Sequence, residues 1–384
     1  MITLLSVFLM TFVGTADAQV LKLRKTTWRG ETKNLVEGLT LKGDFRLRHD
    51  NSSKRSGGQK TRSRFRTRLR FEALVDLPEN LRVGLRLASG SGSQVSTNQS
   101  FDNLGSGKGL VIDRIYLQWK PRWATLSFGK IKNPLWSIAS SDIVFDTDLN
   151  PEGFGQQLEW GNVSLNALQM VVDEDFGSEA QQWLFSQQLA ATLKLPKGFD
   201  FAGGASWHEW VNERFSTLGQ KTTLEGNRRV PAGPGAGSLA NDFAVFEFSG
   251  ELSRTINSLP VRLQGSFIKN TSALSVRSNA GDASRYDLGY HFGTIVGKAS
   301  AARSWEAAYF YKWLETDATV ADAADADFGD GGTNRRGHIF WLAYNPRDWM
   351  QLKAKFFVSS VIDENLAPGA DDINRVLLDV ALRF

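Results

Sequence analysis

Residues Thr61 to Leu77 read T-R-S-R-F-R-T-R-L-R-F-E-A-L-V-D-L, with Arg62, Arg64, Arg66, Arg68 and Arg70 on one parity and Phe65, Leu69, Phe71, Ala73 and Val75 on the other. Side chains alternate across a strand with a rise of about 3.3 Å per residue, so a guanidinium recurs every roughly 6.6 Å along one face. Two like charges 4 Å apart repel by about 1 kcal/mol in bulk water, and by more at lower effective dielectric. Such a face needs carboxylates, anions or water against it, while its reverse needs hydrocarbon. The chemistry on offer is attraction and selection of charged solutes. Two other readings exist. Arg62 and Arg70 could reach a rim or pair with Glu72 and Asp76, and a basic strand can also contact nucleic-acid phosphates.

Bond-making chemistry has little support in the rest of the chain. The 384 residues contain no cysteine, which excludes disulfides, thiol catalysis and thiolate metal sites. Histidines stand only at 49, 208, 291 and 338, with neither H-E-x-x-H nor G-x-S-x-G around them. His208 beside Glu209 and His49 beside Asp50 are the nearest approaches to an acid–base pair, and an outer-membrane hydrolase or adhesin read from them lacks any nucleophile signal. From Glu315 to Asn334 runs an acidic stretch containing D-A-A-D-A-D-F-G-D-G-G. Its oxygens could ligate Ca²⁺, but EF-hand spacing and the closing glutamate are missing, so it reads as a solvated loop. No metal and no cofactor is expected.

The elements that must carry the ladder follow one scheme. Leu39, Leu41, Phe45 and Leu47 oppose Lys42, Asp44, Arg46 and Arg48; after the ladder, Leu81, Val83, Leu85 and Leu87 oppose Arg82 and Arg86; and Ile115, Leu117 and Trp119 oppose Arg114, Tyr116 and Gln118. The same alternation continues to Val376–Phe384, giving roughly sixteen strands, an even number, with a phase slip near Leu168 that reads as a bulge. The composition agrees, since 36 Gly and 25 Phe suit a turn-rich aromatic β protein. Connections alternate between tight turns such as Pro78–Asn80 and long loops such as 89–109.

A soluble sandwich would also alternate, but it need not alternate short and long connections. An all-β transmembrane antiparallel barrel must, with short periplasmic turns at one rim and long extracellular loops at the other. Closure also satisfies every backbone group in hydrocarbon, where each unpaired one costs several kcal/mol. Trp119, Trp123, Phe199, Trp349 and Phe384 fall near the short-turn rim, and Trp183, Trp207 and Trp313 near the long-loop rim, as interfacial girdles would. Residues 1–18 read as a secretory signal ending at Ala16-Asp17-Ala18, with an N-terminal anchor as the alternative; 19–38 read as a lead-in and 39–384 as the barrel. The net charge is +4, basic between Lys42 and Arg86 and rich in Asp between Asp317 and Asp330.

With G-D-F-R-L-R at 43–48 and the ending V-L-L-D-V-A-L-R-F, the chain resembles bacterial outer-membrane porins of the putative-porin and general-porin families. That resemblance implies a channel of sixteen strands, a homotrimer in outer-membrane lipid, and a terminal Phe384 read by the barrel-assembly machinery. It also implies that the loop after the fifth strand, here 130–153, folds into the lumen. Its Asp142, Asp146, Asp148 and Glu152 would then face a wall of Arg46, Arg62, Arg64, Arg66, Arg68, Arg70, Arg82, Arg86 and Arg114. The end of that loop, Pro151-Glu152-Gly153-Phe154, exchanges Gly and Phe relative to the motif it resembles. The function implied is passive diffusion of ions and small hydrophilic solutes with a weak anion preference. A channel specific for phosphate or another anion is the alternative, and no nucleic acid is expected as a partner.

Overall fold

In the computed structural model the described residues are 38–54, 61–138, 140, 142–174, 181–212, 226–230, 237–274, 276–277, 283–329, 331–366 and 371–384. The expected signal segment and all but the last residue of the lead-in lie outside them.

The period-two pattern becomes sixteen long strands, each antiparallel to its neighbours in sequence. They are β1 Leu39–Lys54, β2 Thr61–Leu77, β3 Leu81–Ser89, β4 Leu110–Trp119, β5 Ala124–Lys130, β6 Glu152–Trp160, β7 Val163–Asp173 and β8 Gln182–Leu195. The second half comprises β9 Phe199–Val211, β10 Ala244–Ile256, β11 Leu259–Asn270, β12 Leu288–Gly297, β13 Ser304–Leu314, β14 Arg335–Arg347, β15 Met350–Val361 and β16 Ile373–Arg383. β16 pairs with β1 from Asp44↔Arg383 to Lys54↔Ile373, so the sheet closes and no edge is left to hydrocarbon. At the seam the Gly43 amide donates to the Phe384 carbonyl at 2.7 Å and the Phe384 amide to Gly43 at 3.0 Å. The Phe384 ring lies 2.6 Å from where a Cβ on Gly43 would be, so this glycine makes room for the chain end.

Every tight turn follows an even-numbered strand. Asn257 and Ser258 both take positive φ, 47° and 67°, the backbone that matches the right-handed twist of a two-residue hairpin. Long connections follow the odd-numbered strands. The outer parity is apolar and exposed, as with Phe65, Leu117, Phe128 and Leu342, and Trp119, Trp123, Trp305 and Trp349 mark the short-turn rim.

The interior departs from the expectation of a uniformly wet lumen. Ile143, Val144 and Leu149 pack with Leu184, Trp210, Phe243, Val245, Ile268 and Leu314 and with alanines of the 315–334 loop. A second inner cluster holds Ile295, Phe310, Phe328, Ile339, Trp341, Phe357 and Leu377. One side of the barrel is therefore a hydrophobic core made by inward wall residues and the loops that enter. This explains Leu168. The β6–β7 ladder runs without a break from Gly153↔Met170 to Trp160↔Val163, so there is no bulge there. Leu168 faces inward and is fully buried, while Met170 beyond it packs on the inner core. The register shift lies further on, between Val171 and Asp173.

Candidate functional site

The basic wall is built by register. On β1 and β2, Arg46 faces Arg68 and Arg48 faces Arg66. Like charges directly opposite one another destabilise a sheet unless something intervenes, and here carboxylates do. Asp44 accepts from Arg68 at 2.9 Å and from Arg70 at 2.7 Å, and Asp50 takes Arg64 at 2.7 Å and Arg375 at 2.9 Å. Arg48 is held by Asp379 at 2.7 Å and by Asp327 at 3.0 Å. Arg86 pairs with Asp113, and Arg114 donates to Asn150 at 2.6 Å.

The loop 131–151 follows β5 and crosses the lumen. Its Ile131 amide donates to the Pro151 carbonyl at 2.8 Å, which ties its two ends together. At its roots Gly129 faces Gly153 across the ladder, with φ of 117° and 149°. A Cβ on either would lie 2.4 or 2.0 Å from a neighbouring carbonyl oxygen, so only glycine allows this close approach. Outbound, the Trp136 amide donates to Gln188 at 2.7 Å and Ser140 bonds Gln264 at 2.7 Å, which lays the loop on the filled side. Returning, Asp148 reaches Arg68 and Arg70 at 3.5 and 3.4 Å, and Asn150 meets Arg86 and Arg114.

The four acids expected to face the arginines take three different places. Asp148 meets the ladder. Asp142 and Asp146 meet the acidic loop instead: the Asp325 amide donates to the Asp142 carbonyl at 3.0 Å, the Asp146 amide to Ala323 at 2.7 Å, and the Ala326 amide to the Asp146 carboxylate at 3.0 Å. Glu152 stands exposed at the start of β6 and bonds Lys130 at 2.5 Å. Among the arginines, Arg82 pairs with Asp76 at 2.5 Å near the short-turn rim, and Arg62 is exposed near the other rim, opposite Ser52. Arg46 donates to Asn98 at 2.6 Å, and Arg66 reaches the Asn98 carbonyl at 3.4 Å and Asp50 at 3.7 Å.

The acidic loop 315–334, expected to be solvated, is folded into the barrel and largely buried. Its carboxylates engage basic side chains. Asp317 pairs with Arg228, Asp325 bonds Lys312 at 3.3 Å, and Asp327 sits between Arg48 at 3.0 Å and Arg375 at 3.3 Å. Phe328 anchors it in the second inner cluster. The two loops thus meet inside the lumen, and their acids titrate unlike one another. Burial and the neighbouring Asp325 push the Asp142 carboxyl up to about 7, and burial with Asp142 and Asp325 raises Asp146 well above its ordinary range. Burial opposes the charge on Asp327 too, but Arg48 and Arg375 hold its carboxyl well below that range.

What remains open is a cavity of about 600 Å³ between the basic wall and the loop junction, lined by Arg46, Arg48, Arg68, Arg70, Asp146, Asp148, Asp327 and Lys353 among others. A second, of about 980 Å³, lies under the inward loop against Arg82, Arg86, Arg114 and Tyr116. A closed barrel whose interior is narrowed by a loop after the fifth strand, with water-sized space left along a charged wall, is the plan of a diffusion channel. A family model described as "putative porin" matches residues 55–232 and 220–384. The chain belongs to the putative-porin family.

No curated protein matches this porin. Among solved structures, OmpF of Salmonella typhi in complex with daunomycin is 10% identical, covering 90% of this chain and 97% of that one, with a TM-score of 0.53. A multiply substituted porin of Rh. blastica is 11% identical, covering 90% and 100%, with a TM-score of 0.50. Both likenesses concern the fold.

Several wall residues of the porin were not read from the sequence. Arg375 lies inside β16 because that strand begins at Ile373, three residues before the expected Val376. Lys353 and Lys355 alternate with Leu352, Ala354 and Phe356 on β15, a signal as plain as the ladder's but shorter. Lys312 is inward on β13. His208 does not pair with Glu209. Its ring bonds Ser186 at 2.9 Å and Glu247 at 3.1 Å, a Ser–His–Glu connectivity across β8, β9 and β10. Ser186 and His208 are fully buried, with Phe145 of the inward loop edge-on to the imidazole at 5.2 Å. The hydroxyl is closed to any solute, and the trio braces the wall behind the loop.

Proposed function

We propose that this porin lies in the bacterial outer membrane and forms a water-filled path for passive diffusion of ions and small hydrophilic solutes, with a weak preference for anions. The observation that carries the reading is the crossing of the lumen by the loop 131–151, with Asp148 against Arg68 and Arg70 and an open cavity left beside them. Charged linings set ion preference by the fields they present. Here the wall groups Arg46, Arg62, Arg64, Arg66, Arg68, Arg70, Arg82, Arg86 and Arg114 supply the positive side. Asp148 supplies the negative side; Asp142 and Asp146, turned to the acidic loop with carboxyls raised by burial, contribute less, and Glu152 acts only at the margin. Most of these arginines are already paired with wall carboxylates such as Asp44, Asp50, Asp76 and Asp113, so the preference is weak. A porin family and a porin fold support a channel that is not an enzyme. Assembly as a homotrimer, and recognition of Phe384 by the barrel-assembly machinery, follow from the resemblance to general porins.

Planar-bilayer recording in a KCl gradient tests the reading. Wild type should conduct with a reversal potential on the anion side. Changing Arg64, Arg66 and Arg68 together to Gln removes three positive charges and leaves Asp44 and Asp148 with Arg70 alone and Asp50 with Arg375 alone, which should move that potential toward cation preference. An unchanged potential would remove these arginines from the conducting path.

A further inference from the structure

The bases lining the 600 Å³ cavity are not equivalent. Lys42, Arg48, Arg68 and Arg70 each hold a carboxylate oxygen at 2.7–2.9 Å, and Arg86 holds Asp113 as closely. Three others do not. Arg46 has Asp379 no nearer than 4.0 Å, and Asp379 is already bound twice by Arg48, at 2.7 and 2.9 Å. Arg46 is oriented by a neutral acceptor, the Asn98 side-chain oxygen, and its buried Nε has no acceptor. Among the described residues, Lys353 and Lys355 have no carboxylate within 4.0 Å. They lie over aromatic rings, Lys353 4.7 Å from the centre of Trp341 and Lys355 4.7 Å from that of Phe357. A ring face orients an ammonium and lowers the cost of burying it, but it does not cancel the charge. Of the loop acids that line the cavity, Asp325 is bound by Lys312 and Asp327 by Arg48 and Arg375, and each acts on Lys355 only from beyond 4.0 Å. Arg383 also lines the cavity, but at the exposed end of β16.

Register brings Arg46 and Lys353 into adjacent rows and sets Lys355 one row beyond Lys353, opposite Leu377. Arg48, Asp379 and Lys353 share one row across β1, β16 and β15, and Arg46 lies in the next row with Ala381 and Gln351. Two strand spacings of about 4.8 Å put β1 and β15 roughly 10 Å apart, a gap that long basic side chains can close around a small ion. Ser96 and Asn98 of the loop 90–109 line the same cavity and add neutral polar groups.

We infer that Arg46, Lys353 and Lys355 form a discrete seat for a small oxyanion, a phosphate or a carboxylate, within the lumen, while the ladder beyond them is internally neutralised. The inference rests on the channel reading and narrows it: selectivity comes from one seat of unspent charge rather than from the whole ladder. Charge-assisted hydrogen bonds from guanidinium and ammonium to an oxyanion are the strongest such contacts available, and removing one typically weakens binding about tenfold.

The test uses the full-length protein and inorganic phosphate, with acetate in parallel to distinguish the two oxyanions. In bilayers, phosphate added to KCl should reduce the chloride current and saturate. Arg46→Gln and Lys353→Gln should each raise the half-blocking concentration about tenfold, whereas Lys298→Gln, exposed in the turn after β12, should raise it less than twofold. Titration calorimetry of phosphate into the detergent-solubilised protein reads the seat without any current, so a protein that binds but does not conduct would count against the channel and not the seat. Linear, unsaturable phosphate currents with no calorimetric binding would overturn the seat and leave the channel standing. Equal effects of Lys298→Gln and Lys353→Gln would overturn its location.

Discussion

The two sides of the lumen follow the same backbone rules and end in opposite states. Across β8 to β14 the inward parity carries Leu184, Val245, Ile268, Ile295, Phe310 and Ile339 beside buried polar groups such as Ser186, His208 and Gln264, and the entering loops pack on it. Across β15, β16 and β1 to β4 the inward parity carries Arg46, Arg48, Arg68, Arg86, Arg375 and Lys353, and water-sized space persists beside it. A barrel of sixteen strands is too wide to be filled by its own side chains, so the loops decide which part conducts. Hydrocarbon on one wall fixes them there by apolar burial. Charge on the other wall reaches them only through a few carboxylates, chiefly Asp148 and Asp327.

The sharpest way to break that contrast is Asp327→Asn. It leaves Arg48 with Asp379 and Arg375 with Asp50; breaking a fully buried ion pair costs about 3–5 kcal/mol, and the cost here is lower because Asp327 is partly exposed and both arginines keep a carboxylate. The acidic loop should loosen from the conducting side, and single-channel conductance should rise severalfold. A conductance equal to wild type would mean that this loop does not border the path. Next is Phe243→Ala, a fully buried ring on the filled side, expected to destabilise the packed loops by about 3–5 kcal/mol. Thermal unfolding in detergent would show it, and Gln351→Ala on the open side should shift the same transition by no more than about 0.5 kcal/mol.

The smallest effect is in pH, at the junction of the two loops. Asp142 rises from an ordinary 3.8 to about 7 when the loops are docked. Its contribution to docking is therefore complete below about 4 and is lost as pH rises through about 7. Asp327 has the opposite sign: its contribution is present above 3.8 and fades only as pH falls through a value well below that. Between those limits the junction should loosen with rising pH, so conductance should climb modestly from pH 5 to pH 8. Asp142→Asn should weaken that climb and Asp142→Asn with Asp146→Asn should flatten it, and a climb that persists in the double variant would place the titrating group elsewhere.

The strands, their number, the outer face and the ladder's parity were legible because alternation is a local property of the chain. So was the position of the crossing loop, through the resemblance. The destination of each loop was not, because it depends on partners far apart in sequence: Arg48 and Asp327 are 279 residues from each other. The acidic loop reads as solvent-facing from its composition, yet Lys312, Arg48 and Arg375 give its carboxylates better partners than water. Leu168 reads as a slip of phase because an inward leucine makes no sense in a wet lumen, and it makes good sense against a dry one. Arg375 was missed because Ile373 and Asn374 do not show the pattern that begins at Val376.

The chain's lack of cysteine allows the most direct measurement. Single cysteines placed at Gln351 on the open side and at Ser186 on the filled side can be exposed to a water-soluble cationic thiol reagent during bilayer recording. Gln351→Cys should react within the recording and change the current and its ion preference, while Ser186→Cys should remain unmodified. Modification at Ser186→Cys with none at Gln351→Cys would reverse the two sides and contradict a conducting path along the basic wall.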